Sequence, residues 1–339
     1  MSSKKVSMKD IANRLGVSVA LVSYVLNGKK TDKINDRTAA KIKALAATMN
    51  YSPNQIAKSL KTNRTLTLGL IVADISNLFY SSIAKYIEEE ANRHGYQVIY
   101  GNAYESPDRF NSILNLLLSR QVDGFILAIP EKAEHCIRLL TDLNQPFVII
   151  DRKFNEFPDA PSIILNNQEA SGAIVAHLVQ NGFKRPGLVT INRNLVHLQE
   201  RKTGYMNACA RLLNRKAFVY ELEEEHLERQ IKAVIKKSVF KDKVDSLCFF
   251  TNKVAMAGLS EIASMDLPVP GALGIVCFDE AEAYKLFRTP VTYFKQPLQE
   301  MSRAAVDYLL SQMEPGDNNE KERLEEFNGT LVVHQSSMR

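Results

Sequence analysis

The chain of 339 residues has no tryptophan and only four cysteines, Cys136, Cys209, Cys248 and Cys277. Their wide spacing excludes a Cys-x-x-Cys redox or zinc motif. Apolar neighbours around each predict reduced, buried thiols. With no indole available, any ring stacking on a ligand falls to phenylalanine or tyrosine. No run of eighteen apolar residues occurs, so no membrane span is expected. The N-terminal Met1-Ser2-Ser3-Lys4-Lys5 lacks the apolar block of an export signal, which predicts a cytoplasmic protein. Also missing are a glycine-rich dinucleotide loop, a phosphate-binding loop and any Ser/His/Asp or paired-carboxylate arrangement. The expectation is therefore a protein that is not an enzyme and carries no cofactor and no metal.

What is present is a globular composition, 45% hydrophobic, with an uneven charge distribution. The net charge is +5, but residues 1–64 hold thirteen lysines and arginines against Asp10, Asp32 and Asp36 alone. That head is +10, which leaves −5 for the remainder. A basic head on a mildly acidic body is the electrostatic footprint of a polyanion binder, most simply of nucleic acid.

Within the head, Ser7 and Asp10 form a capping-box pair that starts a helix at Met8. Ile11, Ala12 and Leu15 share one face, and Gly16 follows where a tight turn needs a positive φ. Ser18 caps a second helix that buries Val22, Val25 and Leu26 and ends at Asn27-Gly28. A third, from Asp36 to Met49, closes the core with Ile42, Leu45 and Met49. Two short helices joined by a glycine turn read as a helix-turn-helix. A three-helix bundle with no ligand satisfies the same periodicity. The outer face of the second helix favours DNA, because Val19, Ala20, Ser23 and Tyr24 are short or flat enough to meet base edges in the major groove. Ser18, Asn27, Asn35, Thr38 and Tyr51 are placed to hydrogen-bond phosphates.

The stretch from Lys9 to Gly28 resembles the opening of the lactose/galactose repressor family. Asn50 to Leu60 resembles that family's linker to its regulatory core, and the whole chain follows the family layout. The resemblance implies an all-α helix-turn-helix DNA-binding head (1–52), a hinge helix and linker (53–66), and an α/β effector-binding and dimerisation domain (67–339). That domain would be a two-lobed, periplasmic-binding-protein-like body of parallel sheets with helices on both faces. Its first lobe would span about 67–164 and 295–325, and its second about 165–294 and 326–339. The resemblance further implies that Asn54, Ala57, Lys58 and Leu60 contact DNA from a hinge helix, with paired leucines opening the minor groove. A plain interdomain linker is the alternative. One departure is Tyr24, where many members carry arginine, so the operator should differ at the base pair that residue reads.

After Thr67, short apolar runs alternate with amphipathic helices: strands at 68–73, 97–100, 124–129, 147–151, 163–165, 187–191, 246–250, 273–278 and 330–334, and helices at 79–94 and 113–120. Such alternation specifies parallel sheets covered by helices. Ligands collect at the carboxyl ends of such strands. The polar residues there that match the family's effector positions are Asp74, Ser76, Asn77, Asp151, Arg201, Asn252, Asp279 and Gln296, with Phe79, Tyr80 and Phe250 beside them. Each has a plainer alternative: helix caps for Asp151, Asn252 and Asp279, an interlobe ion pair for Arg201, and core packing for Phe79 and Tyr80. Lys253 stands where the family usually has aspartate. It is either a hint of an anionic effector or, as we prefer, a solvated lysine on a helix's first turn.

The implied function is a transcription regulator that is usually a repressor. It would bind a pseudo-palindromic operator in double-stranded DNA as a homodimer, under control of a sugar-like small-molecule effector in the interlobe cleft. No heptad helix follows the strand at 330–334, so a dimer and not a tetramer is expected. A protein co-regulator with a vestigial cleft, or an exported solute-binding protein, are the rival readings; the second leaves the basic head unexplained.

Overall fold

The computed structural model describes residues 6–27, 34–51, 64–314 and 324–339. The chain divides into two units, Met1–Thr65 and Leu66–Arg339. In the first, α1 (Met8–Leu15), α2 (Val19–Leu26) and α3 (Asp36–Thr48) pack around Ile11, Ala12, Val22, Val25, Ile42 and Ala46. The capping box at Ser7 and Asp10 is complete, and Ser18 Oγ accepts from the Leu21 amide at the start of α2. Gly16 ends α1 with φ +67, a left-handed conformation that a side chain resists.

The second unit contains two six-stranded sheets. The chain builds the first with β1 (Thr67–Val72), α4 (Leu78–Arg93), β2 (Gln97–Asn102), α5 (Pro107–Ser119), β3 (Gly124–Leu127), α6 (His135–Asp142), β4 (Phe147–Ile150) and β5 (Ser162–Leu165). It then crosses to the second with α7 (Asn167–Gln180), β6 (Pro186–Ile191), α8 (Val196–Leu213), β7 (Phe218–Leu222), α9 (Leu227–Lys236), β8 (Ser246–Phe249), α10 (Asn252–Ser264), β9 (Gly274–Phe278) and β10 (Thr292–Lys295). Two more crossings follow. The helix α11 (Leu298–Gln312) packs on the first sheet and β11 (Leu324–Phe327) joins it, while β12 (Thr330–Val332) returns to the second.

The strand orders are β11-β5-β4-β3-β1-β2 and β12-β10-β9-β8-β6-β7. Every pairing is parallel except β10 with β12. Both faces of each sheet are covered, which is why the strands read as continuous apolar runs. In β1, Leu68, Leu70 and Val72 face α4 and α11, while Ile71 faces α5 and α6. In the second sheet, Leu247 and Phe249 pack toward α9 and α10, and Cys248 toward α7 and α8. Gly204 lets α8 approach α7, since a Cβ there would collide with the Gln168 carbonyl. All four cysteines are buried and unpaired, and burial pushes the Cys136 thiol up to about 12. Among the described residues, no helix is long and apolar enough to cross a membrane.

Candidate functional site

The head presents one face of α2. Val22 and Val25 are buried beneath it, which leaves Val19, Ala20 and Tyr24 exposed and Ser23 half-buried. Several of the polar groups expected to meet phosphate have local partners. Besides the Ser18 cap, Asn27 Nδ2 donates to the Ser23 carbonyl at 2.8 Å, and Asn35 Oδ1 accepts from the Arg37 amide at 2.9 Å. These bonds hold the helix ends while leaving the Asn35 amide group outward. Thr38 is half-buried on α3. Tyr51 packs against the head core, and burial raises its phenol above the usual range. Lys9, Arg14, Arg37, Lys41 and Lys43 are exposed on the same unit. Asn54, Ala57, Lys58 and Leu60 lie outside the described residues.

In the second unit the carboxyl ends of both sheets converge on a cavity of about 350 Å³. The first sheet supplies Asp74, Ser76 and Asn77 after β1, Glu105 after β2, and Asp151 and Arg152 after β4. The second supplies Arg193 after β6, Glu224 after β7, Asn252 and Lys253 after β8, Asp279 after β9 and Gln296 after β10. Phe79 and Tyr80 enter from α4, and His197 and Arg201 from α8. Ten of the eleven effector positions expected from the sequence therefore line one cavity. The exception is Phe250. Its ring lies in the core under the second sheet, edge-on to Tyr205 and Phe278, and only its carbonyl serves the site, accepting from Arg201 Nη1 at 3.1 Å. Strand alternation accounts for this: Phe250 shares the inward face of Cys248, so its neighbours Thr251 and Asn252 reach the cavity instead.

The cap alternatives resolve individually. Thr251, not Asn252, caps α10. Asn77 caps α4, accepting from the Phe79 amide, while also lining the cavity. Asp74 accepts from the Ser76 amide and hydroxyl at 3.0 and 2.8 Å, which fixes the loop after β1. Neither Asp151 nor Asp279 caps a helix. Both sit just past a strand end in the left-handed region, with φ +71 and +68. Strain of that kind on non-glycine residues persists where surrounding structure enforces it, commonly at ligand clamps.

Arg201 lies at the centre of the buried charges. Its Nε donates to Asn167 Oδ1 at 2.9 Å, and its guanidinium lies 3.8 Å from the Phe278 ring centroid. Burial pulls its pKa down, opposed by the charges of Asp279 and Asp151. Burial in turn raises both aspartates, against the pull of Arg201 on Asp279 and of Arg152 and Arg201 on Asp151. Asp279 accepts from Gln296 Nε2 at 2.6 Å, and Asp151 from the Tyr80 hydroxyl at 2.8 Å.

A second set of charges forms a chain across the cleft. Arg152 holds Glu105 with two bonds of 2.6 and 3.2 Å and donates to the Ile129 carbonyl. Glu105 also meets Arg193 at 3.3 Å, Arg193 meets Glu224 at 2.8 Å, and Glu224 meets Lys253 at 2.9 Å. Lys153 and Glu200, at 2.7 Å, tie the same two lobes beside it. Burial raises the Glu105 carboxyl, but Arg152 and Arg193 outweigh it and hold the pKa below the usual range. His197 is kept neutral by burial and by the adjacent Arg201 and Arg152. Among the described residues, four buried atoms along the cavity lack a hydrogen-bond partner: Arg152 Nε, His197 Nδ1, Asn252 Nδ2 and Gln296 Oε1. Such groups are costly unless water or a ligand satisfies them.

A helix-turn-helix head joined to a two-sheet body with a charged, partly unsatisfied cleft is a specific combination, and comparison with known proteins identifies it. Residues 65–327 match the model for periplasmic binding proteins and the sugar-binding domain of the LacI family, and residues 7–54 match that for bacterial regulatory proteins of the lacI family. The chain belongs to the lacI family. Among its relatives is the HTH-type transcriptional repressor PurR of Aliivibrio salmonicida, 28% identical over 97% of this chain and 98% of that protein. PurR of Actinobacillus pleuropneumoniae is 26% identical over the same shares. The fold matches the crystal structure of the Lac repressor dimer bound to operator and the anti-inducer ONPF, with TM-score 0.85, 21% identity, and 99% and 100% of the two chains covered. A CelR–cellobiose complex matches with TM-score 0.71 and 19% identity over 98% and 100%. The lacI-family chain thus couples a DNA-reading head to a small-molecule-binding body.

Proposed function

We propose that this protein is a transcriptional repressor. In this reading it binds a pseudo-palindromic operator as a homodimer through the exposed face of α2 and a hinge at 53–66, and a small polyhydroxylated effector occupies the interlobe cleft. The domain limits of 1–52, 53–66 and 67–339 belong to the same reading. One observation carries it: polar side chains from eight of the twelve strand ends converge on a single cavity sized for a monosaccharide-like ligand. Its groups combine donors and acceptors. Arg201, Asn252, Asp279, Asp151 and Gln296 supply both, and Phe79 with Tyr80, edge-on to each other, supplies an aromatic wall. That mixture suits neutral hydroxyl-bearing molecules, because each hydroxyl both gives and takes a hydrogen bond.

The charge count favours a neutral ligand over the anionic alternative. Lys253 pairs with Glu224, Arg152 and Arg193 pair with Glu105, and Arg201 lies in the field of Asp279 and Asp151, so every cation at the cavity wall is offset by carboxylate charge. The effector would act by binding one interlobe arrangement better than another. A hundredfold change in operator affinity needs about 2.7 kcal/mol of such preference. The test is thermal unfolding against sugars, sugar phosphates, sugar acids and nucleobases. A neutral sugar at a hundred times its Kd stabilises by about 2.7 kcal/mol and raises Tm visibly. A response to sugar phosphates alone would overturn the neutral assignment.

A further inference from the structure

The opposite pole of the second lobe carries a charge pattern that effector binding does not use. The strands β6, β7 and β8 are parallel and in register, with Gly187 beside Phe218 and Pro186 beside Ser246. Their amino ends therefore share one edge, facing away from the cleft. Around that edge stand Lys184, Lys216, Lys237, Lys241 and Lys243, all exposed. None of these five lysines meets a carboxylate among the described residues, a state that Lys132, Lys236 and Lys285 share, while Lys85, Lys153, Lys202, Lys232, Lys253 and Lys295 of the same unit are ion-paired. Three arginines knit the edge together. Arg185 donates to the carbonyls of Asp242 and Lys243 at 2.7 and 2.9 Å, Arg215 to that of Lys184 at 3.3 Å, and Arg339 lies 3.8 Å from Asp245. The only acidic groups among them are Asp242 and Asp245. Asp242 accepts from Tyr220, and Asp245 accepts from the amides of Lys184 and Arg185.

Helix carboxyl ends gather at this edge and favour cations, which explains some of the pattern. The first sheet supplies the control. Its amino edge has the same helix-to-strand topology, yet Arg93 and Arg120 there are accompanied by Asp123, Asp142 and Asp159. The fold itself therefore does not require eight cations against two carboxylates, least of all on a body whose net charge is −5.

We propose that this pole is a second, sequence-independent contact for the phosphate backbone of duplex DNA, separate from the helix-turn-helix. The chemistry favours phosphate over an acidic protein. The cations without a carboxylate or carbonyl partner are lysines, Lys237 lying 5.7 Å from the Tyr220 ring centroid, and they act as point charges on phosphate. The arginines suited to bidentate carboxylate recognition are tied to main chain or to Asp245. These lysines stand on a rim, with Lys237 and Lys241 one turn apart. Contacts of this kind position a duplex and carry no base readout.

The test uses the full chain in a two-duplex capture assay. A random-sequence duplex on beads captures the protein, and a second, fluorescent duplex is then offered at roughly 50 mM salt. Wild type retains the second duplex. A Lys237→Gln/Lys241→Gln/Lys243→Gln variant with unchanged Tm loses at least fivefold of that retention, and the slope of log K against log salt for the second duplex falls by about 3. Its binding to the first duplex stays within twofold. Lys184→Gln/Lys216→Gln, on neighbouring loops, produces a loss in the same direction. Equal retention by wild type and both variants overturns the proposal. Retention of fluorescent polyglutamate without a second duplex overturns it in favour of an acidic protein partner.

Discussion

Replacing Arg201 with methionine probes the central feature of the cleft. Arg201 is 4% exposed, feels the charges of the Asp279 and Asp151 carboxylates that burial already raises, and donates hydrogen bonds to Asn167 and the Phe250 carbonyl. Methionine keeps much of the volume over the Phe278 ring but leaves Asp151 and Asp279 without that charge. Breaking a buried pair by removing one partner destabilises by about 3–5 kcal/mol. At roughly 2–4 °C per kcal/mol for a unit of this size, Tm falls by about 6–20 °C. The pH dependence is the sharper readout. An aspartate whose folded pKa lies above its unfolded value is penalised once pH rises past the unfolded value, and the penalty is complete above the folded value. Arg201→Met raises both folded values further. The deficit is therefore largest near neutrality and shrinks as pH falls through the raised values toward the ordinary carboxylate range. Asp279→Asn in the same background recovers part of the loss at pH 7.5. Thermal unfolding of the full chain from pH 5 to 8 measures this. A deficit under 1 kcal/mol, or one that does not change with pH, would refute the account of Arg201 as the counter-ion of both aspartates.

Glu105→Gln and Arg193→Gln break the same interlobe chain with unequal outcomes. Glu105 is the bidentate partner of the buried Arg152, so its loss costs about 2–3 kcal/mol, while the more exposed Arg193 costs under about 1 kcal/mol by urea unfolding. His197, neutral when folded because burial and two guanidiniums depress its pKa, draws stability down as pH falls through about 6.5, where the unfolded imidazole takes up a proton. His197→Gln flattens the stability profile between pH 7 and 5.5, and an unchanged slope would assign the acid sensitivity elsewhere. Leu60→Ala lowers operator affinity at least tenfold in a gel-shift titration while leaving Tm unchanged; full affinity would remove the minor-groove wedge from the mechanism.

Local signals were legible where one residue forces one conformation. The capping box at Ser7 and Asp10, the glycine turn at Gly16 and the cap at Ser18 each specify a helix end through backbone hydrogen bonds a few residues away. Buried parallel strands were equally readable, since covering both faces makes them apolar throughout. The helices α6 to α11 and the strands β7 (Phe218–Leu222) and β11 went unassigned. Phe-Val-Tyr-Glu-Leu has a strand's composition but is a five-residue run that passes straight into Glu223-Glu224-Glu225, and pairing with β6 fixes it as a strand.

The cleft divides along the same line. Residues just past a strand end, such as Asp74, Asp151, Asn252, Asp279 and Gln296, follow from chain position because parallel topology brings all those ends together. Phe250 was misplaced because one step along a strand reverses the side-chain direction, and sequence leaves that register open. Glu105, Arg193, His197 and Glu224 carried no readable signal. Each is an ordinary charged or polar residue in a loop or helix, and it gains its role only from a partner 31 to 92 positions away or from the other lobe. Sequence by itself thus determined what is local or periodic: the basic three-helix head, the alternation of strand and helix, and the strand ends where a ligand collects. Tertiary structure alone decided which charges meet, because an ion pair depends on distance in space, and no periodicity in the chain encodes that Glu105 lies between Arg152 and Arg193.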